Sequence, residues 1–510
     1  MMNDQEKSDL SILAVKSANK GGKLSAESME RREGAEGNTE ENRMRRTLSR
    51  GSVSPGLDRI RQAAKASKKE KFTALLHHVD IELLTAAFYW LNRNAAPGID
   101  GETWQEYEQN LEGNLRDLHD RVHRGTYRAL PSRRKYIAKP DGRQRPLGIA
   151  ALEDKIVQRA VVEVLNAIYE VDFLGFSYGF RPNRSQHDAL DALAYAIIRT
   201  KVNWIWDSDL VKFFDSISHE WLVRFVEHRI GDSRIIRLIR KWLKAGVMED
   251  GVVTPGEVGS AQGSVASPLL SNIFLHYVFD LWADRWRRQH AQGNVIFVRY
   301  ADDIVAGFEH EADAIRFHAD VQQRLDQYAL SLHPDKTRLI EFGRLAAENR
   351  ARRGQGKPET FNFLGFTHIC GRSRKGKFLL KRKTRRDRLR ARLQKIKEEL
   401  RRRMHLSIPE QGKWLCQVVI GYFGYHAVPT NFKRLNTFRH HVVNLWRRVL
   451  KRRSQKDCTT WERIARIASD WLPTPRILHP WPEARFTVKH PRREPSARIA
   501  PAGICAGGAP

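Results

Sequence analysis

The stretch VIFVRYADDIVAGF, residues 295–308, sets two adjacent aspartates between two short apolar runs. The runs are too short for helices and rich in β-branched residues, so they are expected to be strands, with Ala301, Asp302 and Asp303 at or beside a hairpin tip. Neighbouring carboxylates repel each other and add nothing to strand pairing. Asp is also a common turn residue, which accounts for an isolated pair about as well as any function does. The rest of the chain decides between the two.

A second apolar segment, VNWIWDSDLVKFFDSISHEWL (202–222), carries Asp207 and Asp209 and passes from a strand into a helix. If it neighbours the hairpin in one sheet, Asp209, Asp302 and Asp303 converge. Hard divalent cations such as Mg²⁺ take oxygen ligands and are commonly held by one or two carboxylates plus substrate phosphates. Two such ions activate the attacking oxygen and stabilise the leaving one in phosphoryl transfer. They would also neutralise the like-charged aspartates.

Net charge points to the same kind of substrate. The chain has 89 Lys and Arg against 59 Asp and Glu, formally +30, and so basic a chain most often binds nucleic acid. No apolar run approaches the roughly 18–20 residues that span a bilayer. The N-terminus lacks a basic start, apolar block and cleavage site, so the expected location is cytoplasmic and nucleoid-associated, with no membrane partner. The four cysteines, Cys370, Cys416, Cys458 and Cys505, form no C-x-x-C pair, which argues against a disulfide framework and a Cys-type zinc site.

At 510 residues the chain is expected to hold several domains. Residues 1–70 are polar with almost no aromatics, and are expected to be disordered. DIELLTAAFYWLNRN has helical spacing and stops at AAPGIDG. RRKYIAKPDGRQRPLGIA (133–150) reads as a second hairpin around Lys139-Pro140-Asp141-Gly142, decorated by Arg133, Arg134, Lys135, Lys139, Arg143 and Arg145. A clamp on phosphates is favoured there over a merely solvated hairpin. SYGFRPNRSQHDAL is a loop entering a helix with Ser185 as N-cap. In GSAQGSVASPLLSNIFLHYVFDLW, Ser267 is the expected N-cap and Pro268 the first helical residue, with positions 269, 270, 273, 274, 277, 278 and 281 on the apolar face. LSLHPDKTRLIEF and FNFLGFTH are strand-like. Residues 371–403 carry 17 Lys or Arg against 3 acids, much of it in a helical pattern, and the Pro-rich tail from 473 reads as loop.

These blocks, in this order, resemble the reverse transcriptases encoded by bacterial group II introns: NAAPGIDG, KPDGRQRPLGI, SYGFRPNRS, DLVKFFD, AQGSVASPLLSNIFL, YADD, HPDKTRL, FNFLGF and the segment 420–453. The resemblance covers roughly residues 72–490. It implies an α+β right-hand polymerase with a βαββαβ-type palm followed by an α-helical thumb. On this scheme 71–200 is the N-terminal extension and fingers, 201–370 the palm, 371–472 the helical thumb or maturase domain and 473–510 a tail. It implies two Mg²⁺ ions on the catalytic carboxylates Asp209, Asp302 and Asp303, with the Leu210 carbonyl as a further ligand. Phe214 matches the aromatic that excludes a 2′-hydroxyl under the incoming sugar. Gln262 matches the nucleotide-pocket glutamine, and Arg133, Lys139 and Arg145 the cations on the triphosphate. Asp215 is assigned to holding the strand-to-helix turn. Lys381, Arg382, Lys383, Arg385, Arg386, Lys433 and Arg434 are the expected RNA contacts. Of the aromatics Trp414, Tyr422, Phe423, Tyr425, Phe432, Phe438 and Trp446, most are expected to pack helices. The tail lacks the paired cysteines of the family's HNH nuclease, so that domain is not expected here.

The implied partners are the group II intron RNA, an RNA template with a DNA primer, dNTPs and target DNA, for a monomer or homodimer. Three other readings compete. A splicing-only RNA-binding protein has no use for a carboxylate cluster facing a polyanion. A retron, diversity-generating or defence reverse transcriptase is disfavoured by the maturase-like segment, and an RNA-dependent RNA polymerase by Phe214.

Overall fold

The computed structural model describes residues 54–138, 144–249, 252–254, 256, 259, 263–453 and 460–489. The described residues begin with helix α1 (Ser54–Ala66) and go on to α2 (Ile81–Trp90), the strands β1 (Ser132–Ala138) and β2 (Gln144–Ile149), and the long helix α3 (Leu152–Asp172). α1 lies inside the stretch expected to be disordered. Ile60 and Ala64 are buried, Leu57 packs beside them and α1 packs along α3, so a short apolar stripe at helical spacing docks this mostly polar segment. Asp80 caps α2 by accepting from the Leu83 N–H at 2.7 Å. β1 and β2 pair antiparallel from Arg133↔Ile149 to Ala138↔Gln144, the hairpin that the sequence implies. Its tip, 139–143, lies outside the described residues.

Next come α4 (Gln186–Arg199), β3 (Trp204–Ser208), α5 (His219–Arg229) and the short strands β4 (Val247–Glu249) and β5 (Val252–Thr254). Ser185 caps α4 in a reciprocal capping box with Asp188. The first sheet has the order β2-β1-β4-β5. α6 (Ser267–Leu275) starts one residue earlier than expected: Ala266 is the N-cap and Ser267 the first helical residue, with no side-chain cap. A π-turn at His276–Asp280 joins α6 to α7 (Leu281–Gln289). The extra residue in this turn shifts the helical phase. Phe279 and Asp280 therefore turn inward and Leu281 is exposed, against the expected apolar face.

The central sheet adds β6 (Val295–Tyr300) and β7 (Asp303–Phe308), helix α8 (Glu311–Asp326) and β8 (Arg338–Glu341), in the order β6-β7-β3-β8. β6 is buried at all six residues, as its unbroken Val-Ile-Phe-Val run demands of a strand covered on both faces. A third sheet, β11-β10-β9, comprises β9 (Phe361–Phe363), β10 (Phe366–Arg372) and β11 (Phe378–Thr384). The boundary expected at 370/371 thus falls inside β10.

Helices α9 (Arg386–Arg402), α10 (Ile408–His426), α11 (Phe432–Lys451) and α12 (Trp461–Trp471) form a separate core around Leu400, Leu415, Phe438 and Trp446. The Trp446 indole donates to Gln411 Oε1 at 2.8 Å. The tail expected to be loop contains a further helix, α13 (Pro482–Lys489), which packs against α4. Just before it, the backbone N–H groups of Leu478 and His479 donate to the Ala427 carbonyl at 3.0 and 3.1 Å. The whole is α+β. None of the described helices is long and apolar enough to cross a membrane.

Candidate active site

β3 pairs with β7 through Asp207↔Val305 and Ser208↔Ile304. Carried one step further, this register sets Asp209 opposite Asp303. Side chains alternate along a strand, so Asp207, Asp209 and Asp303 share one face of the sheet, and directly opposed residues lie roughly 4.5–5.5 Å apart at Cα. Tyr300↔Asp303 is the last pair of the β6–β7 hairpin, which leaves Ala301-Asp302 as a two-residue turn with Ala301 at φ 57°. The strand that leads to Asp209 is thus hydrogen-bonded to the strand that Asp303 opens.

The field there is strongly negative. Protein packed around the Asp303 carboxylate, and then the charges of Asp302, Asp209 and Asp207, push it up to about 7, against a pull from Arg388. Asp303 still opens to solvent at the start of β7, so the neighbouring charges are the cause that the geometry supports better. Burial pushes Asp207 up to about 6 despite Arg338, whose Nη2 lies 3.4 Å from its Oδ2. Lys336 forms an ion pair with Asp209. Sequence reasoning missed Lys336 and Arg388; the HPDKT turn and the first turn of the basic helix were read without regard to what they face.

Among the described residues, no three His, Cys, Asp or Glu side chains form a ready-made ligand set. A divalent ion held by one or two carboxylates with substrate phosphates needs no such set. The hard oxygen donors of Asp209 and Asp303, opposed on one face and drawing the ammonium of Lys336, fit such an ion.

The backbone bonds beside Leu210 use the Asp209 carbonyl, which accepts from His333 N–H at 2.8 Å, and the Val211 N–H, which donates to Ser331 at 2.9 Å. Among the described residues neither bond engages the Leu210 carbonyl. Phe214 is half-buried beside Phe213, ring centroids 5.3 Å apart, in a helical turn that Lys212 opens at φ 44°. The Asp215 N–H closes that turn onto the Lys212 carbonyl at 2.8 Å. Its carboxylate is exposed, so the structural role expected of Asp215 belongs to its backbone.

Arg133 is exposed and donates to the Pro97 carbonyl at 2.7 Å, whereas Arg134 faces Glu249 at 3.8 Å. Arg145 stands opposite Ile137 in the hairpin. Lys139 and Gln262 lie outside the described residues. The residues just after Gln262 are anchored by Gln158 of α3, which sequence reasoning missed and which a lone Gln in a helix does not signal. Its buried Oε1 accepts from Ser264 Oγ at 2.8 Å and from the Val265 N–H at 3.0 Å. Gly263 adds a close approach: a Cβ there would come within 2.5 Å of the Gly148 carbonyl on β2.

The expected RNA contacts separate. Lys381 and Lys383 are partly exposed, but Arg382 between them is buried and bonds Asp191 of α4 at 2.6 Å. Arg382 therefore leaves the RNA surface: strand alternation sends it to the face opposite its neighbours. Arg385 is held by Asp387 at 2.7 Å, Arg386 and Lys433 are exposed and Arg434 is partly so. Tyr422, Phe423, Phe438 and Trp446 are core residues, while Phe432 is exposed.

A reverse transcriptase (RNA-dependent DNA polymerase) family profile matches residues 137–368, which include both aspartate-bearing strands. Protein YkfC of Escherichia coli is 35% identical over 312 residues, 55% of this chain and 77% of YkfC. Group II intron-encoded protein LtrA of Lactococcus lactis is 35% identical over 226 residues, 43% of this chain but only 37% of LtrA. A putative COX1/OXI3 intron 1 protein of Saccharomyces cerevisiae is 24% identical over 441 residues, 71% of this chain and 51% of that protein. With its strands in this register and these relatives, the chain belongs to the reverse transcriptases and is similar to group II intron-encoded proteins.

Proposed function

We propose that the chain is a right-hand RNA-directed DNA polymerase that also binds its group II intron RNA, assisting splicing and retrotransposition into target DNA. The observation that carries this reading is the pairing of β3 with β7 as far as Ser208↔Ile304, which leads Asp209 and Asp303 towards each other, with the Asp209 charge acting on Asp303. Within the central sheet the order β3, helices, β6, β7, α8, β8, with β4 and β5 set apart in the first sheet, supports a βαββαβ palm, β1–β2 with α3 and α4 the fingers, and α9–α12 the thumb.

Asp209, Asp302 and Asp303, with the Leu210 carbonyl, would hold two Mg²⁺ ions, which supply charge neutralisation for phosphoryl transfer. The other groups act by binding and shape. Arg133, Lys139 and Arg145 take the dNTP triphosphate, Gln262 lines the pocket and Phe214 lies under the sugar. Lys381, Lys383, Arg386, Lys433 and Arg434 hold RNA phosphates. Primer extension on an RNA template with dNTPs, beside intron splicing at near-physiological Mg²⁺, tests the two activities. Absence of both from folded protein would refute the reading.

Phe214→Val is expected to admit ribonucleotides, because a flat ring excludes a 2′-hydroxyl only while the ring is present. Incorporation of rNTPs and dNTPs by the two proteins measures this, and equal discrimination would make Phe214 a packing residue only. Replacing Lys381, Lys383, Arg386, Lys433 and Arg434 together should flatten the salt dependence of RNA binding. Each lost phosphate contact removes roughly 0.7–0.9 from the slope of log K against log salt. An unchanged slope would put the RNA surface elsewhere.

A further inference from the structure

The tip of the aspartate hairpin is held from behind by one buried guanidinium. Arg299 pairs across the hairpin with Ile304, so its side chain leaves the sheet on the face opposite Asp303. It is fully buried and all five of its N–H donors are used. Nε and Nη2 donate to the two Asp280 oxygens at 2.7 and 2.5 Å. Nη1 donates to Asn272 Oδ1 at 2.9 Å and to the Ala301 carbonyl at 3.1 Å, and Nη2 to Ser177 Oγ at 2.8 Å.

The bond to Ala301 links this network to the site. Two-residue hairpin turns favour Asn-Gly or Gly-X because they need positive φ, yet here Ala301 adopts φ 57°. The turn therefore draws on its surroundings for its shape. Gly179 closes it from the other side: a Cβ there would come within 2.2 Å of the Ala301 nitrogen. Asn272 Nδ2 donates to the Gly179 carbonyl at 2.7 Å. Asp280 reaches Arg299 from the π-turn that ends at that residue, an irregularity common at functional sites.

We infer that Arg299 is a positioning residue for the proposed polymerase centre: with Asp280 and Asn272 it fixes the Ala301 carbonyl, and so sets where Asp302 and Asp303 stand. The inference rests on the polymerase reading above. It ties four separate stretches, SYGF, SPLLSN, HYVFD and RYADD, to one geometry.

The competing role is stability alone, and removing one partner of a buried pair destabilises whatever its role. The test therefore uses two variants. Arg299→Met with Asp280→Leu removes both charges and keeps apolar volume, a change often tolerated. Arg299→Lys keeps the charge but loses the planar fork. Each full-length protein, bound to an RNA template with a DNA primer, is assayed for melting, for Mn²⁺ affinity by electron paramagnetic resonance, and for kcat and KM of dNTP incorporation. Supporting residues behind metal ligands are typically worth about 10–100-fold in affinity or activity. A loss of that size is expected in Mn²⁺ affinity and in kcat, with template–primer affinity unchanged. If either folded variant binds Mn²⁺ and turns over like wild type, Arg299 is structural and the inference fails. If the double variant does not fold, Arg299→Lys alone decides. Wild-type protein that binds template–primer but incorporates no dNTP would instead refute the polymerase reading, and this inference with it.

Discussion

Protein carrying Asp302→Ala and Asp303→Ala is expected to lose primer extension by at least about a thousandfold, since several kcal/mol of metal-held charge stabilisation are forfeited at about 1.4 kcal/mol per factor of ten. Both changes sit at a solvent-facing hairpin tip, and they relieve repulsion with Asp209 rather than opening a cavity. Fold and RNA binding should therefore survive, and intron splicing with them, because that activity is assigned to basic surfaces. Full polymerisation by the double variant would reduce the two aspartates to turn residues. A pH signature accompanies the loss. The folded-state pKa of Asp303 is raised to about 7, so its contribution to stability is present at low pH and is lost as pH rises through about 7. In metal-free buffer the wild-type melting temperature should carry a component that falls from roughly pH 4, the ordinary carboxylate value, to about pH 7 and is flat above it. The double variant should keep only the smaller part due to Asp207. Identical pH profiles for the two proteins would contradict the carboxylate cluster.

The hairpin of residues 295–308 was legible because an apolar run, a short break and a second apolar run leave few alternatives, and Asp209 because it stands where an apolar strand must end. Their convergence needed the strand order β6-β7-β3-β8, which no local pattern contains. Arg382 misled for a related reason. Within the basic run 381–386 nothing local marks the one cation that turns inward, and only its partner Asp191, 191 positions away, reveals it. Helices α1 and α13 escaped notice because their flanks are polar or Pro-rich while their docking rests on a few residues, Leu57, Ile60 and Ala64 in one and Pro482, Glu483 and Arg485 in the other. The π-turn at 276–280 is invisible to a fixed 3.6-residue period, and it is what brings Asp280 to Arg299. Lys139 and Gln262 rest on the family pattern alone.

The second large effect is expected far from the cleft. Asp191 on α4 is almost fully buried and faces two cations, Arg382 of β11 at 2.6 Å and Arg485 of α13 at 2.7 Å. The histidines beside it do not add to this charge. Burial lowers His187 to about 2, with His479 and Arg485 adding to the effect, and burial lowers His479 as well. The two rings stack as neutral groups with centroids 3.8 Å apart. Asp191→Ala would leave Arg382 buried without its counter-charge, since Asp191 is the carboxylate that offsets its burial and Arg485 beside it is a second cation. Breaking a buried pair from one side costs about 3–5 kcal/mol. β11 leads directly into α9, and the segment before α13 is bonded to Ala427 at the end of α10, so the loss falls on the junction between α4 and the helical unit. A lowered melting temperature and faster proteolysis around residues 373–385 are the expected results. Asp191→Leu combined with Arg382→Met should recover much of the loss by removing both charges. Because the Arg382 charge never reaches solvent, Arg382→Met alone should leave the salt slope of RNA binding unchanged, whereas loss of Lys381 and Lys383 flattens it. Asp191→Ala protein that melts like wild type, or an Arg382→Met protein with a flattened slope, would return Arg382 to the RNA surface.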